Sequence, residues 1–157
     1  MSQPFTHLDA SGNAHMVDVT GKEITERSAT ARSRITLSTE VVTALRDGTV
    51  PKGDALSVAR IAAIQATKRT PDLIPLCHPI AVHGVEVDLE LDDTGVTITA
   101  TVRTADRTGV EMEALTAAAV GGLALIDMVK GMDRMAAIEH VELLEKRGGR
   151  SGTWTRP

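Results

Sequence analysis

The stretch VEVDLELDDTGVTITATV, residues 85–102, decides the fold of this chain. Its first half alternates valine or leucine with aspartate or glutamate, and its second half alternates apolar residues with threonine. A period of two is typical of a β-strand that is buried on one face. The turn DDTG, residues 92–95, joins the halves, so the stretch predicts a β-hairpin. Such a hairpin belongs to an antiparallel sheet that is half-solvated or covered by a partner.

The segments on either side of the hairpin complete an α+β pattern. Hydrophobic periodicity and helix caps predict a strand at 24–37, helices at 39–47, 55–68 and 108–130, and a last strand at 137–144. Asp54 is the predicted N-cap of the second helix, Pro71 its stop, and Thr108 to Glu111 a capping box for the third. This order predicts an antiparallel sheet with helices packed on one face, in a ferredoxin-like arrangement.

Length and composition limit the classes of protein that fit. A chain of 157 residues is expected to be one domain, residues 1–157, with 1–14 and 147–157 flexible. The only aromatic residues are Phe5 and Trp154 and the net charge is −4, which argues against nucleic-acid binding. A single cysteine favours a reducing cytoplasm. We expect neither a signal peptide nor an apolar run of membrane-spanning length.

The segment LIPLCHPI, residues 73–80, places the only cysteine beside a histidine between prolines. Proline restricts its own φ and that of the preceding residue, so Cys77 and His78 are expected on a stiff, extended path. One interpretation is a proline-rich connector; the other is a substrate-contacting histidine with a nearby thiol. A metal site is disfavoured because the sequence has no further Cys or His pair to accompany these two residues. A Cys–His nucleophile is disfavoured because neighbouring residues on an extended path point in opposite directions.

Asp127 is an unusual residue for the end of an apolar helix. Aspartate is a poor interior helix residue, and its charge is unfavourable near a helix C-terminus. Lys130 is three residues further on and on the same side of the helix, close enough to pair with it. The two interpretations are a structural ion pair and an acid/base aspartate whose pKa is set by burial against Lys130.

Two glutamates open the same helix. Glu111 is expected to serve the capping box, whereas Glu113 has no such role. Glu113 and Asp127 are fourteen residues apart, so about 21 Å separates them along the helix axis. If both serve one site, they are expected to come from different subunits of an oligomer.

Several basic residues are candidate anion ligands: Lys52, Lys68, Arg69, Lys146, Arg147 and Arg150. Lys52 precedes a predicted helix N-terminus, which itself favours anions. The tail KRGGRSG, residues 146–152, lacks the spacing of a P-loop. It either folds over a phosphate or is a flexible basic tail.

Taken together, these motifs resemble the molybdenum cofactor biosynthesis protein C family. The matching stretches span nearly the whole chain in order: HMVDV at 15–19, KGD at 52–54, LIPLCHP at 73–79, TGVEMEALTA at 108–117, DM at 127–128, Lys130, and 146–152. The combination of LCHP with GVEMEAL is very specific. The resemblance implies a ferredoxin-like subunit in a homohexamer, a trimer of dimers with active sites at subunit interfaces.

The resemblance also implies an activity. A member of the family converts 3′,8-cyclo-7,8-dihydro-GTP into cyclic pyranopterin monophosphate and pyrophosphate, as a phosphorus–oxygen lyase of the cytoplasm. The implied catalytic residues are Asp127, Lys130 and Lys52. The implied substrate ligands are Leu76, Cys77, His78, Met112 and Glu113, and Lys146 is a further implied functional lysine. From their charge, Lys146, Arg147 and Arg150 are predicted to hold the triphosphate. No cofactor is implied, although Mg²⁺ bound through the substrate phosphates is compatible with the chemistry, and no nucleic-acid or membrane partner is expected.

The tail departs from the family pattern. The family usually has Lys-Ser-Gly-Gly-Lys-Ser-Gly, and here Arg147 and Arg150 replace the first serine and the second lysine. Arginine keeps the charge but cannot act as a proton donor of moderate pKa, so Arg150 is assigned to phosphate binding. A non-catalytic nucleotide-binding or interaction module is the alternative from another class.

Overall fold

A computed structural model describes residues 6–157 of the chain. Its elements, in chain order, are β1 (Thr25–Thr36), α1 (Thr39–Asp47), α2 (Ala55–Thr67), α3 (Thr70–Leu73), β2 (Gly84–Leu91), β3 (Gly95–Asp106), α4 (Glu111–Val129), β4 (Ala137–Arg147) and β5 (Trp154–Thr155). The strands form one sheet of order β2-β3-β1-β4-β5 in which every pair is antiparallel. Two β-α-β halves interleave, which is the predicted ferredoxin-like arrangement, and the α+β prediction is confirmed.

The predicted hairpin is β2 and β3. Its register runs from Gly84 opposite Arg103 to Leu91 opposite Val96. At the turn, the Asp92 carboxylate accepts from the Thr94 backbone N–H at 2.8 Å and binds the Arg34 guanidinium at 2.8 Å. These contacts, chiefly the one with Arg34, lower the pKa of Asp92. The turn is therefore fixed by polar contacts with β1, the strand that pairs with β3.

One face of the sheet carries the core and packs against the helices. On β1 the residues Ala29, Ala31, Ser33 and Ile35 are buried on this side. The Ser33 hydroxyl donates to the Ala118 carbonyl of α4 at 2.8 Å, which ties strand to helix. Small residues let α4 approach α2 closely: a Cβ at Gly121 would lie 3.2 Å from the Ala63 Cβ of α2.

Tertiary packing overrides two sequence signals at the helix ends. The N-cap of α4 is Val110, which is fully buried and gives no side-chain cap, so the predicted capping box is wrong. A buried apolar side chain therefore stands at the N-cap, and Glu111 is the first residue of the helix. Pro71 does not stop α2 directly. The helix ends at Thr67, and Pro71 lies in the first turn of α3, a position where proline is tolerated.

The second helix does not turn its larger apolar residues, Val58 and Ile61, to the core. Its buried side consists of small residues, Ala55, Ala59, Ala63 and Ala66. Val58 and Ile61 are 41% and 65% exposed. The predicted N-cap is confirmed, since Asp54 accepts from the Ser57 backbone N–H at 3.0 Å.

The long helix is more apolar than the sequence expectation allows. By length and composition alone, α4 could cross a membrane, contrary to the expectation that no apolar run reaches that length. In the structure it is the core helix, with Ala114, Ala117, Ala118 and Leu125 fully buried against the sheet and α2. Length and composition alone do not distinguish a buried core helix of this kind from a membrane-spanning one.

The C-terminal tail returns to the sheet. Strand β4 runs to Arg147, further than predicted, and Gly148 and Gly149 then turn the chain with φ of 89° and 74°. The two-residue β5 pairs with β4, and the Arg156 backbone N–H donates to the Leu144 carbonyl at 2.8 Å. The flexibility predicted for 147–157 stays a prediction. So does the flexibility predicted for 1–14, of which residues 1–5 lie outside the part of the chain that the structure describes.

Candidate active site

The start of α4 and the loop after α3 enclose a cavity of about 320 Å³, here called the α4 pocket. Its lining includes Leu76, Cys77, His78, Met112 and Glu113, which are predicted substrate ligands that the structure brings together. The N-terminal segment closes another side with Thr6, His7, Val17, Val19 and Lys22. Residues from three separate parts of the sequence therefore meet at one concave surface.

The loop presents His78 in a fixed orientation. After α3 the chain turns, with the Cys77 backbone N–H donating to the Ile74 carbonyl at 3.1 Å, and then runs without helix or strand to β2. His78 Nε2 lies 2.6 Å from the Val17 carbonyl, so Nε2–H is the donor in that contact. In the neutral ring Nδ1 is then left as an acceptor.

Glu113 is the buried acidic residue of the α4 pocket. It is only 3% exposed, and its side chain has no hydrogen-bond or ion-pair partner among the side chains of residues 6–157. Burial raises the pKa of Glu113 to about 7, the nearby Glu111 adds to the rise, and the backbone N–H of Glu113 itself opposes it. Burial and the neighbouring Glu113 also raise the pKa of the Cys77 thiol, so Cys77 is not an activated thiolate.

The other end of α4 carries a second group of functional candidates, here called the Asp127 cluster: Asp127, Lys130 and Lys52. Lys130 Nζ lies 2.7 Å from Asp127 Oδ1, and Lys52 Nζ lies 3.5 Å from Oδ2. Lys52 also donates to the Asp127 backbone carbonyl at 2.7 Å, so a lysine from the turn before α2 binds the C-terminal end of α4.

The environment of Asp127 differs from the sequence expectation. Its side chain is 60% exposed, so burial against Lys130 does not set its pKa. The hydrogen bond and charge of Lys130, followed by the charge of Lys52, lower the pKa of Asp127. The carboxylate is therefore ionised at neutral pH between two lysine ammonium groups.

The basic tail residues are distributed over different contacts. Arg147 forms an ion pair with Glu145 at 2.7 Å, and Lys146 donates to the Gly148 carbonyl and the Ser151 hydroxyl within the tail. Arg150 faces two cavities, of about 460 and 300 Å³, that Lys22 and Arg27 also line. We call Lys22, Arg27 and Arg150 the basic basin.

The basic basin adjoins the α4 pocket because Lys22 lines both. Its cations have no carboxylate within ion-pair distance in the described part of the chain. Sequence reasoning missed Lys22 and Arg27. The only sequence signal for Lys22 as a site residue is its position three residues after the motif at 15–19. Arg27 has no such signal, since it resembles any other residue on the polar face of a strand. The other predicted anion ligands, Lys68 and Arg69, are exposed, and Arg69 pairs with Asp72 at 3.4 Å.

The α4 pocket and the Asp127 cluster lie at opposite ends of one helix. About 21 Å separates Glu113 from Asp127 along the axis of α4. Among residues 6–157, no three His, Cys, Asp or Glu side chains are grouped closely enough to hold a metal ion. One chain therefore carries two separate groups of candidate residues, here called the candidate half-sites, one concave and partly apolar, the other exposed and charged.

Comparison with known proteins identifies the family. The sequence model of the MoaC family matches residues 16–149, which include the α4 pocket motifs and the Asp127 cluster. A Streptomyces coelicolor protein named cyclic pyranopterin monophosphate synthase is 58% identical over 152 residues, 97% of this chain and 89% of its own length. A Nocardioides protein of the same name is 56% identical over 156 residues, 98% of this chain and 96% of its own.

A more distant relative extends the same agreement. The Mycobacterium tuberculosis protein named cyclic pyranopterin monophosphate synthase 2 is 53% identical over 155 residues, 99% of this chain and 93% of its own. These alignments cover both candidate half-sites and the tail, so the resemblance drawn from the motifs is confirmed: the chain belongs to the MoaC family.

Proposed function

We propose that this protein is a cyclic pyranopterin monophosphate synthase of molybdenum cofactor biosynthesis. It converts 3′,8-cyclo-7,8-dihydro-GTP to cyclic pyranopterin monophosphate with release of pyrophosphate. The family and the names of relatives at 53–58% identity support this activity. The observation that carries it on the structural side is the α4 pocket joined through Lys22 to the basic basin, whose cations form no ion pair among residues 6–157. A heterocycle and a phosphate chain on one molecule need such a pair of sites.

The α4 pocket is the proposed site of the guanine-derived ring. Leu76 and Met112 supply apolar contact, while Cys77, His78 and Glu113 supply the polar groups that orient the ring. The basic basin is the proposed site of the triphosphate. Arg150 serves there with Lys22 and Arg27, and Lys146 holds the tail closed through Ser151. Arg147 has a smaller role in this scheme, because Glu145 already neutralises it.

The Asp127 cluster is the proposed catalytic group. The ionised Asp127 carboxylate accepts protons, and Lys130 and Lys52 donate them during the ring rearrangement. In the second stage a sugar-derived hydroxyl gives its proton to the Asp127 carboxylate and attacks the α-phosphorus, a P–O bond forms, and pyrophosphate leaves with the electrons of the broken P–O bond. Lysines at this centre stabilise the charge on the phosphoryl oxygens and on the leaving group.

We further propose that the active enzyme is a homohexamer, a trimer of dimers, with each site shared between subunits. A small substrate cannot contact both ends of α4 in one subunit, because about 21 Å separates them. Large apolar side chains on the helix layer are exposed in the single chain, among them Ile61 at 65% and Leu123 at 58%. Such surface favours burial against another copy. The proposal includes a cytoplasmic location, no resident cofactor, and Mg²⁺ only through substrate phosphates.

Replacement of Asp127 tests the catalytic assignment. Asp127→Asn removes the proton acceptor but keeps the size of the side chain, so turnover is expected to fall by about 10² to 10⁴ while substrate binding is kept. The measurement is release of pyrophosphate and formation of the pterin product by the purified protein under anaerobic conditions. Asp93→Asn is the matched control, since Asp93 forms an exposed ion pair with Arg46 at the hairpin turn.

Three outcomes are informative. Loss of turnover with binding kept supports the enzyme over a non-catalytic nucleotide-binding module, since a binding module gains nothing from an anion beside a triphosphate. Wild-type turnover by Asp127→Asn would contradict the catalytic role. An unfolded Asp127→Asn protein would favour the structural ion pair instead, because the contacts of Lys52 with the carboxylate and the backbone carbonyl of Asp127 hold the end of α4.

A further inference from the structure

Lys22, which lines both the basic basin and the α4 pocket, has its main chain held by two hydrogen bonds. Its backbone N–H donates to the Val19 carbonyl at 3.0 Å, which closes the turn before β1. Its backbone carbonyl accepts from Arg107 Nε at 3.0 Å, a contact between residues that are 85 positions apart. Both bonds use the Lys22 backbone, so its ammonium group stays available to a ligand. Arg107 therefore fixes where Lys22 lies without competing for its charge.

The sheet does not supply this contact, because the pairing of β1 with β3 stops short of Lys22. Strand β1 begins at Thr25, which lies opposite Asp106, the last residue of β3. A backbone carbonyl beyond the paired strands needs another donor wherever it is shielded from water. Arg107 directly follows β3, is only partly exposed, and reaches the Lys22 carbonyl with its long side chain. The Arg107 side chain thus continues the β1–β3 pairing by one contact.

The same corner of the chain also holds a second cation of the basin. The Asp106 carbonyl accepts from Arg27 Nε at 3.1 Å, and the Asp106 carboxylate accepts from the backbone N–H of Arg107 at 2.7 Å. The next residues, 108–109, line the α4 pocket. The proposed phosphate site and the proposed ring site are therefore attached to one short segment between β3 and α4.

We propose that Arg107 is a positioning residue for the reaction, because it holds Lys22 at the junction of the α4 pocket and the basic basin. It thereby sets the place of one phosphate-binding cation relative to the ring site. The inference rests on the proposed function for the identity of the ligand, and it deepens that function by naming a residue that acts through another. In the described part of the chain, Arg107 is not among the residues that line the pocket or the basin. Its effect on ligand binding is therefore expected to pass through Lys22.

Two substitutions at Arg107 separate its hydrogen bond from the volume of its side chain. Arg107→Met keeps much of the apolar stem and removes the donor, so the affinity for pyrophosphate is expected to fall about tenfold as Lys22 loses its fixed position. Arg107→Lys keeps a cationic donor on a long side chain, so it is expected to restore most of that affinity. Both leave the backbone N–H of residue 107 on the Asp106 carboxylate, so the corner keeps its other contact.

A double-mutant cycle tests whether Arg107 acts through Lys22. In a Lys22→Met background the ammonium group is gone, so adding Arg107→Met is expected to change the affinity for pyrophosphate by less than about twofold. In an Arg27→Gln background Lys22 is still present, so Arg107→Met is expected to keep its full effect of about tenfold. A direct effect of the Arg107 charge on the ligand predicts instead the same loss in both backgrounds.

The experiment measures Kd for inorganic pyrophosphate and, under anaerobic conditions, KM and kcat for the cyclised dihydro-GTP. Wild type is compared with the Arg107 variants and the double mutants, and circular dichroism checks that each is folded. Arg46→Met is the matched control, because it removes the same charge from an exposed pair with Asp93 at the hairpin turn. A positioning role at the phosphate site predicts that KM rises together with the pyrophosphate Kd while kcat changes much less. A role in folding alone predicts lower stability with Kd and KM unchanged.

The expected result is a loss of pyrophosphate affinity in Arg107→Met that Arg107→Lys restores and that disappears in the Lys22→Met background. Equal losses in the two backgrounds, unchanged Kd and KM in folded Arg107→Met, or no recovery in Arg107→Lys would overturn the proposal. So would undetectable pyrophosphate binding by an active wild type. Absence of wild-type turnover, with this pattern of affinities kept, would count against the proposed function alone, so the two failures are distinguishable. If Arg107→Met does not fold, Arg107→Gln, which shortens the side chain and removes its charge, takes its place in the cycle.

Discussion

At the scale of single residues, Arg27 is held in place without being neutralised. Its Nε donates to the Asp106 carbonyl at 3.1 Å, and Gly149 packs so closely on its guanidinium that any Cβ there would overlap it. Arg27 therefore has a fixed position and free donors on the rest of its fork. Lys22 and Arg150 line the same cavities, which makes the basin a preorganised anion site in the proposed function.

Removing the Arg27 charge should weaken substrate binding more than catalysis. For Arg27→Gln we expect KM to rise about tenfold, because one charge-assisted hydrogen bond to the substrate is lost, and we expect kcat to change less. The dependence of KM on salt should also become shallower, since one phosphate contact is lost. Arg46→Gln is the control, because Arg46 forms an exposed pair with Asp93 at the hairpin turn. An unchanged KM and salt dependence would remove Arg27 from the phosphate site.

Single residues also mark the limit of what the sequence predicted. The predicted substrate ligands from Leu76 to His78 and at 112–113 belong to local motifs, and the structure places them in one pocket. Lys22 and Arg27 belong to no local motif, and they meet Arg150 only because the tail folds back over β1. The exposure of Asp127 was also missed, since an apolar helix does not reveal which of its faces is left open.

At the scale of elements, α4 is the part that connects fold and function. Its first turn carries Glu113, its last turn carries Asp127, and its middle is narrow enough to lie against α2. A Cβ at Gly121 would sit 3.2 Å from the Ala63 Cβ and 3.4 Å from the Ile98 Cδ1. The close packing at Gly121 therefore sets the position of α4, and with it the positions of the candidate residues at both of its ends.

A larger side chain at Gly121 should separate α4 from α2. For Gly121→Val we expect a loss of about 2 kcal/mol in unfolding free energy, the usual cost of overpacking, and reduced activity. The measurement is the denaturant midpoint at one fixed protein concentration, since association also contributes to stability. Gly131→Ala is the matched control, because a Cβ at Gly131 meets no atom within 4 Å. A midpoint for Gly121→Val equal to that of Gly131→Ala would contradict the close packing.

The elements show why boundaries were harder to predict than element types. Alternation in residues 85–102 specifies the hairpin almost alone, because its signal is local and repeats over both strands. The beginning of α4 depends on burial of Val110, and the inward face of α2 depends on small alanines that fit against Gly121. Both are properties of the packed interior, which hydrophobic periodicity does not contain. Strand β5, two residues long, depends on the glycine turn and on β4.

At the scale of the whole molecule, one chain holds two candidate half-sites that do not meet. The α4 pocket and the basic basin adjoin each other, whereas the Asp127 cluster lies about 21 Å from Glu113 along α4. The proposed hexamer resolves this separation if the pocket of one subunit faces the Asp127 cluster of another. Exposed Ile61 and Leu123 show that the helix layer of a single chain retains apolar surface for such contacts.

A subunit-mixing experiment tests this shared site most directly. Glu113→Ala and Asp127→Asn chains, each inactive alone, are coexpressed with different tags, purified as mixed oligomers and assayed for pyrophosphate and pterin product. If Glu113 and Asp127 of different subunits form one site, roughly a quarter of the sites in an equal mixture are intact and activity returns. If both residues of a site come from one subunit, every site stays defective. Mixed oligomers with no activity above that of the separate variants would contradict the shared site.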